Sequence, residues 1–62
     1  MSVKVHRLRV VMSLSQLRYD VRRRGARSGR TFFSEAIAVA WAHEESVRTG
    51  ASYDVYEITM GF

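Results

Sequence analysis

Between Ser34 and Gly50 the chain can form little other than a helix, and no other stretch of its 62 residues has that character. Ser34 suits the N-cap, where its hydroxyl takes a backbone N–H that the first turn leaves unpaired, and Glu35 suits the positive end of the helix dipole. Gly50 suits the position just past the last turn, where the backbone goes left-handed. With one helix, the rest of the fold has to come from strands. A chain of this size buries only about 60% of its unfolded surface, so a small sheet under one helix is nearly all the core it can build. We therefore expect a single α+β domain over residues 1–62.

Residues 3–11 are rich in β-branched side chains. His6, Leu8, Val10 and Met12 fall on one side, and Val3, Val5, Arg7, Arg9 and Val11 on the other. Ser13–Gln16 suits a turn. From Leu17 to Arg23 the alternation is cleaner, with Leu17, Tyr19 and Val21 against Arg18, Asp20 and Arg22, as in a strand with one buried face. Gly25 and Gly29 then bracket a hairpin loop, Arg30–Phe33 forms a short returning strand, and Ser52–Met60 forms a last one. The last strand sets Tyr53 and Val55 against Tyr56, Ile58 and Met60. The expected order is β-β-short β-α-β, an antiparallel sheet packed on one helix, with the last strand at its edge or its centre.

The helix offers two stripes for burial. Ala36, Ala40, His43 and Val47 make one, flanked by Ile37 and Val39; Ala38, Trp41, Ala42 and Glu45 make the other. Every position from Ala36 to Ala42 is apolar, and a helix apolar all round is buried on more than one side. Since a small sheet covers only one side, the expected cover for the other is a second copy of the chain or another protein. Ile37, Val39 and Trp41 are the candidate interface.

Charge divides sharply along the sequence. Residues 1–30 hold nine of the ten basic side chains and one acid, Asp20; residues 31–62 hold Arg48 against Glu35, Glu44, Glu45, Asp54 and Glu57. Such a field suits a polyanionic or acidic partner, though a solvated face or self-association of basic on acidic halves gives the same asymmetry. Arg7, Arg9, Arg18, Arg22 and Arg27 are expected on one wall of the sheet, where guanidinium groups can pair with phosphates or fork onto guanine edges. Tyr19 is expected in the core. Tyr53 and Tyr56 point to opposite faces, so one of them should meet solvent or an interface.

Cysteine is absent, which removes disulfides, thiolate metal sites and thiol nucleophiles. His6 and His43 stand at no metal-ligand spacing. His43, Glu44 and Glu45 are adjacent on a helix and point about 100° apart, so they cannot converge on a substrate. The serines lack a paired base at recognisable spacing. No cofactor, no small-molecule substrate and no catalysis are expected. No segment approaches the roughly 18 apolar residues that span a membrane, and the basic residues near the N-terminus interrupt any signal-like apolar run, so no membrane partner and a cytoplasmic location are expected.

Residues 18–49 resemble the arm-type, AP2-like DNA-binding module found at the N-terminus of many phage integrases. The resemblance lies in Arg18-Tyr19-Asp20-Val21-Arg22-Arg23-Arg24-Gly25, in Arg30-Thr31-Phe32-Phe33-Ser34, and in Ala38, Trp41-Ala42 and Glu45 on the helix. It implies a three-stranded antiparallel sheet on a helix, with Arg18, Arg22, Arg24 and Arg30 facing a DNA groove. The chain departs from that family in carrying Ile37 and Val39 on the helix, and a strand after it. The first functional expectation is a non-enzymatic phage or mobile-element module that binds nucleic acid, DNA first, through Arg7, Arg9, Arg18, Arg22, Arg24, Arg27 and Arg30. The rival is a small phage-type inhibitor or adaptor that blocks a host protein complex, such as a CRISPR-Cas defence system, by meeting an acidic host protein or using Ile37, Val39 and Trp41. A homodimer is compatible with both.

Overall fold

The computed structural model describes residues 2–7 and 16–60. Within them the chain runs β1 (Val3–His6), β2 (Gln16–Arg23), β3 (Arg30–Phe32), α1 (Glu35–Thr49) and β4 (Tyr53–Met60). The second half of the first expected strand, including Arg9, and most of the expected Ser13–Gln16 turn lie outside the described residues. The four strands form one sheet in the order β1-β4-β2-β3, and α1 packs on one of its faces.

The sheet is mixed rather than antiparallel. β2 runs antiparallel to both β3 and β4, but β1 and β4 are parallel. The cause is the helix. It carries the chain from the end of β3 back to the other end of the sheet, so β4 enters parallel to β3 and antiparallel to the intervening β2. β4 also enters between β1 and β2, which makes it a central strand and separates two segments adjacent in sequence.

The core is small and follows from that placement. Val21 and Val55 are cross-strand partners on β2 and β4, and both are fully buried. Tyr19 and Tyr53 flank them, and Ala38 and Ala42 of α1 lie against them without exposure. Val3, Val5, Leu17, Phe32, Val39 and Trp41 pack around this centre. Of the two candidate helix stripes, the one holding Ala38, Trp41 and Ala42 faces the sheet, because alanines let the helix backbone approach closely. The stripe of Ala36, Ala40, His43 and Val47 faces away and is exposed. Trp41 completes the contact, tilted on Phe32 and edge-on to Tyr53.

The ends of the elements hold as local chemistry dictates. The Ser34 hydroxyl accepts the Ile37 N–H, and Gly50 (φ 75°) returns its own N–H to the Ser46 carbonyl at 2.8 Å. Ser46, buried under the helix, donates its hydroxyl to the Ala51 carbonyl at 2.7 Å, which leads the chain into β4. At the same end of the sheet the Arg24 N–H donates to the Ser52 carbonyl at 2.9 Å, and the Ala26 N–H closes a turn on the Arg23 carbonyl. Gly29 passes so close to β2 that a Cβ there would fall 1.9 Å from the Val21 carbonyl oxygen.

Candidate functional site

Strand alternation and register decide what the two sheet faces carry. Lys4 and His6 of β1, Asp54, Tyr56 and Ile58 of β4, Arg18, Asp20 and Arg22 of β2, and Thr31 of β3 point away from the helix. They form rows across the sheet. One row is Lys4, Asp54 and Arg22; the next is His6, Tyr56, Asp20 and Thr31; beyond them Ile58 lies opposite Arg18.

The open face is organised around two aspartates. Asp54 is 7% exposed and accepts hydrogen bonds from Arg24 Nε (3.2 Å, to Oδ2) and Nη2 (3.0 Å, to Oδ1). His6 Nε2 lies 3.1 Å from the same Oδ1. The bonds from Arg24 hold the Asp54 carboxyl below the usual carboxylate range, against the opposing effect of burial, and His6 adds to the shift. Asp20 accepts the Thr31 hydroxyl at 2.9 Å, and Arg18 Nε stands 3.6 Å from it, an ion-pair rather than a hydrogen-bond distance. That Nε is buried with no hydrogen-bond partner among the described residues.

Between the aspartates, His6 and Tyr56 stack with ring centroids 4.5 Å apart and planes 10° from parallel. The Arg22 guanidinium lies 5.8 Å from the Tyr56 centroid. A groove of about 340 Å³ adjoins the stack, lined by His6, Arg7, Arg22, Tyr56, Glu57 and Ile58.

The expected single wall of arginines is not what forms. Arg18, Arg22 and Arg24 serve the open face, and Arg27 sits exposed in the hairpin loop. Arg7 goes to the helix side, since it follows Val3 and Val5, which pack into the core. It forms a two-pronged pair with the Glu35 carboxylate (Nη2 to Oε2 2.7 Å) and lies 3.9 Å from Glu57. Arg30 also goes to the helix side, because its β2 partner is the buried Val21; its guanidinium lies 5.4 Å from the Phe32 centroid and 5.7 Å from that of Trp41. Arg9 lies outside the described residues. Of the three candidate interface residues, Ile37 is 59% exposed, whereas Val39 and Trp41 are partly buried against the core.

On the helix side three of the acids face arginines. Glu35 and Glu57 face Arg7, and Glu45 pairs with Arg48 at 2.6 and 2.7 Å; the arginine bonds hold both Glu35 and Glu45 below the ordinary carboxylate range. Burial, reinforced by Glu57, pushes the Tyr19 phenol up. Among the described residues Lys4, Arg22, Arg23, Arg27 and Arg30 have no carboxylate partner within ion-pair distance. Lys4, Arg22 and Arg27 belong to the open face or the hairpin beside it, whereas Arg23 and Arg30 lie on the helix side, Arg30 over the Phe32 and Trp41 rings.

Sequence reasoning missed the His6–Tyr56 stack and the role of the aspartates. A signal was present: Asp20 and Asp54 sit inside strands, where aspartate is depleted, and such a residue needs a local partner to be there. The described residues hold no cluster of three or more metal-ligating side chains, and no helix there is long and apolar enough to cross a membrane. No protein-family model, no curated protein and no solved structure matches the chain.

Proposed function

We propose that this chain is a non-enzymatic binding module that meets nucleic acid through the open face of its sheet and the adjoining hairpin. One observation carries the reading. Lys4, Arg22 and Arg27, on and beside the open face, have no carboxylate partner among the described residues and stand clustered at one end of the sheet, while on the helix side Glu35, Glu57 and Glu45 face Arg7 and Arg48 and Arg30 is taken up by the Phe32 and Trp41 rings. Phosphates are the common ligand for such a set, and each cation that neutralises one releases a counterion. Arg22 on β2 and Arg24 just past its end are two residues apart, about 7 Å in extended chain, so their guanidinium groups can engage a backbone rather than a single anion. Arg24 already spends two N–H groups on Asp54, which makes it a fixed edge of the surface and leaves Arg22 and Arg27 as the principal phosphate contacts.

The test is the salt dependence of binding to a labelled oligonucleotide, duplex or single-stranded, from about 50 mM salt upward. Affinity should fall steeply with salt, and Arg22→Ala or Arg27→Ala should each reduce the log–log slope by about 0.7–0.9. Arg48→Ala, on the helix, should leave it unchanged. If the native chain retains no oligonucleotide at the lowest salt, the reading fails. The inhibitor or adaptor reading then takes its place, favoured by Phe33, Ile37 and Val47, which are 70%, 59% and 71% exposed.

A further inference from the structure

We infer that the nucleic acid taken by this face is single-stranded, with one base stacked at the His6–Tyr56 pair. The inference rests on the reading of the face as a nucleic-acid interface and narrows it to one class of ligand.

Width argues first. Four strands span about 14 Å between the axes of the two edge strands, before side chains are added. The major groove of duplex DNA is about 12 Å wide and admits a helix or a two-stranded ribbon. A four-stranded face cannot enter it broadside. The same flat face is a natural platform for unstacked bases, which need an aromatic surface and have no groove to fit.

The arrangement of side chains argues second. Tyr56 stands on the central strand β4, with His6 stacked from β1 and the Arg22 guanidinium approaching from β2. Parallel rings and a planar cation are the groups on which bases stack without regard to sequence. The adjoining groove of about 340 Å³ is of a size for one small planar ligand and continues the apolar surface onto Ile58.

Charge argues third, because it separates where phosphates and bases can go. Asp54 sits in the same row as Lys4 and Arg22, but its carboxylate is taken up by Arg24 and His6, so the hairpin end with Lys4, Arg22 and Arg27 stays cationic, while Asp20 lies in the Tyr56 row and repels phosphate there. The row holding Tyr56 is one pleat repeat, about 7 Å, from the row holding Arg22 and Lys4. A strand laid with its backbone along the cationic end therefore turns its bases toward the stacked rings.

The experiment is fluorescence anisotropy with a labelled mixed-sequence 12-nucleotide strand, as DNA and as RNA, and with the 12-base-pair duplex of the same sequence (~12 units in each case, within the range that single-strand sites cover). The native chain, Tyr56→Leu and Tyr56→Phe are compared, with circular dichroism to establish that each is folded. At least one single strand should bind roughly 10-fold tighter than the duplex. Tyr56→Leu should weaken that binding roughly 10-fold without changing the salt slope, and Tyr56→Phe should retain it. Should Tyr56→Leu not fold, His6→Leu makes the same test from the edge strand, where the side chain is 38% exposed. A duplex bound as tightly as either single strand, or a folded leucine variant at either position that binds like the native chain, overturns the single-strand inference and leaves the interface standing. Failure of the native chain to retain any of the three probes overturns the interface reading itself.

Discussion

Val21 and Val55 lie side by side under the helix with no exposure, while one residue earlier on each of the same strands Asp20 and Asp54 are 9% and 7% exposed on the face turned away. A single step along the chain passes from burial by apolar packing to burial by hydrogen bonds and charge. Under the helix the contacts are non-directional: valine on valine, alanine on backbone, Trp41 wedged between Phe32 and Tyr53. On the open face they are directional, with the two N–H groups of Arg24 on Asp54 and the Thr31 hydroxyl on Asp20. The first kind of burial drives folding and tolerates replacement by groups of like volume. The second contributes less to stability and tolerates replacement poorly, because a buried polar atom without its partner costs more than the bond itself is worth.

The sharpest way to break this comparison is to cut both faces on β4. Val55→Ala should cost about 2–3 kcal/mol, the lost transfer energy of its methyl groups plus the cavity they leave. A 62-residue chain has roughly 3–9 kcal/mol in all, so this one change removes a large share of it. Urea denaturation should show a much lower midpoint with the slope retained. Asp54→Asn, next door, should cost less, about 1–2 kcal/mol at neutral pH, since the half-exposed Arg24 can turn back to water. Its signature is in the pH dependence. Asp54 is held below its unfolded value, so its contribution is complete above about pH 4, the unfolded aspartate range, and disappears as pH falls through the folded value. The Asn variant should therefore lose less stability than the native chain on acidification below about pH 4. Some slope remains in both, because Glu35 and Glu45 are shifted in the same direction. Equal acid slopes for the two chains would mean that Asp54 is not held by charge at all.

Much of the molecule was legible because it follows from rules that act over a few residues. The Ser34 cap, the Gly50 terminus, the glycine-bracketed hairpin and the β2 alternation each depend on neighbours in sequence, and each falls where those neighbours put it. The parallel pairing of β1 with β4 was not legible, since it joins residues about fifty apart and depends on where the helix returns the chain. That one pairing also governs the arginines. Alternation places Arg7 with Val3 and Val5, but only the packing of the helix over that side decides that the shared face is the covered one. Arg30 is placed the same way, through its pairing with Val21. The His6–Tyr56 stack is a consequence of the β1–β4 register and could not precede it.

The finest distinction between the two faces lies at Thr31, whose hydroxyl donates to Asp20 at 2.9 Å. Thr31→Val keeps the branched shape, the strand preference and nearly the volume, and removes only the donor. If burial on the open face were a matter of packing, as it is under the helix, the change would be neutral or slightly favourable. If it depends on hydrogen bonds, Asp20 loses the one it has from the neighbouring strand β3 and keeps only the Arg18 Nε, 3.6 Å from the same Oδ1 and too far for a hydrogen bond. The expected cost is then about 1 kcal/mol, the lower end for a bond to a charged group because β3 is a short, partly exposed edge strand. A urea midpoint lowered by that amount at neutral pH checks it.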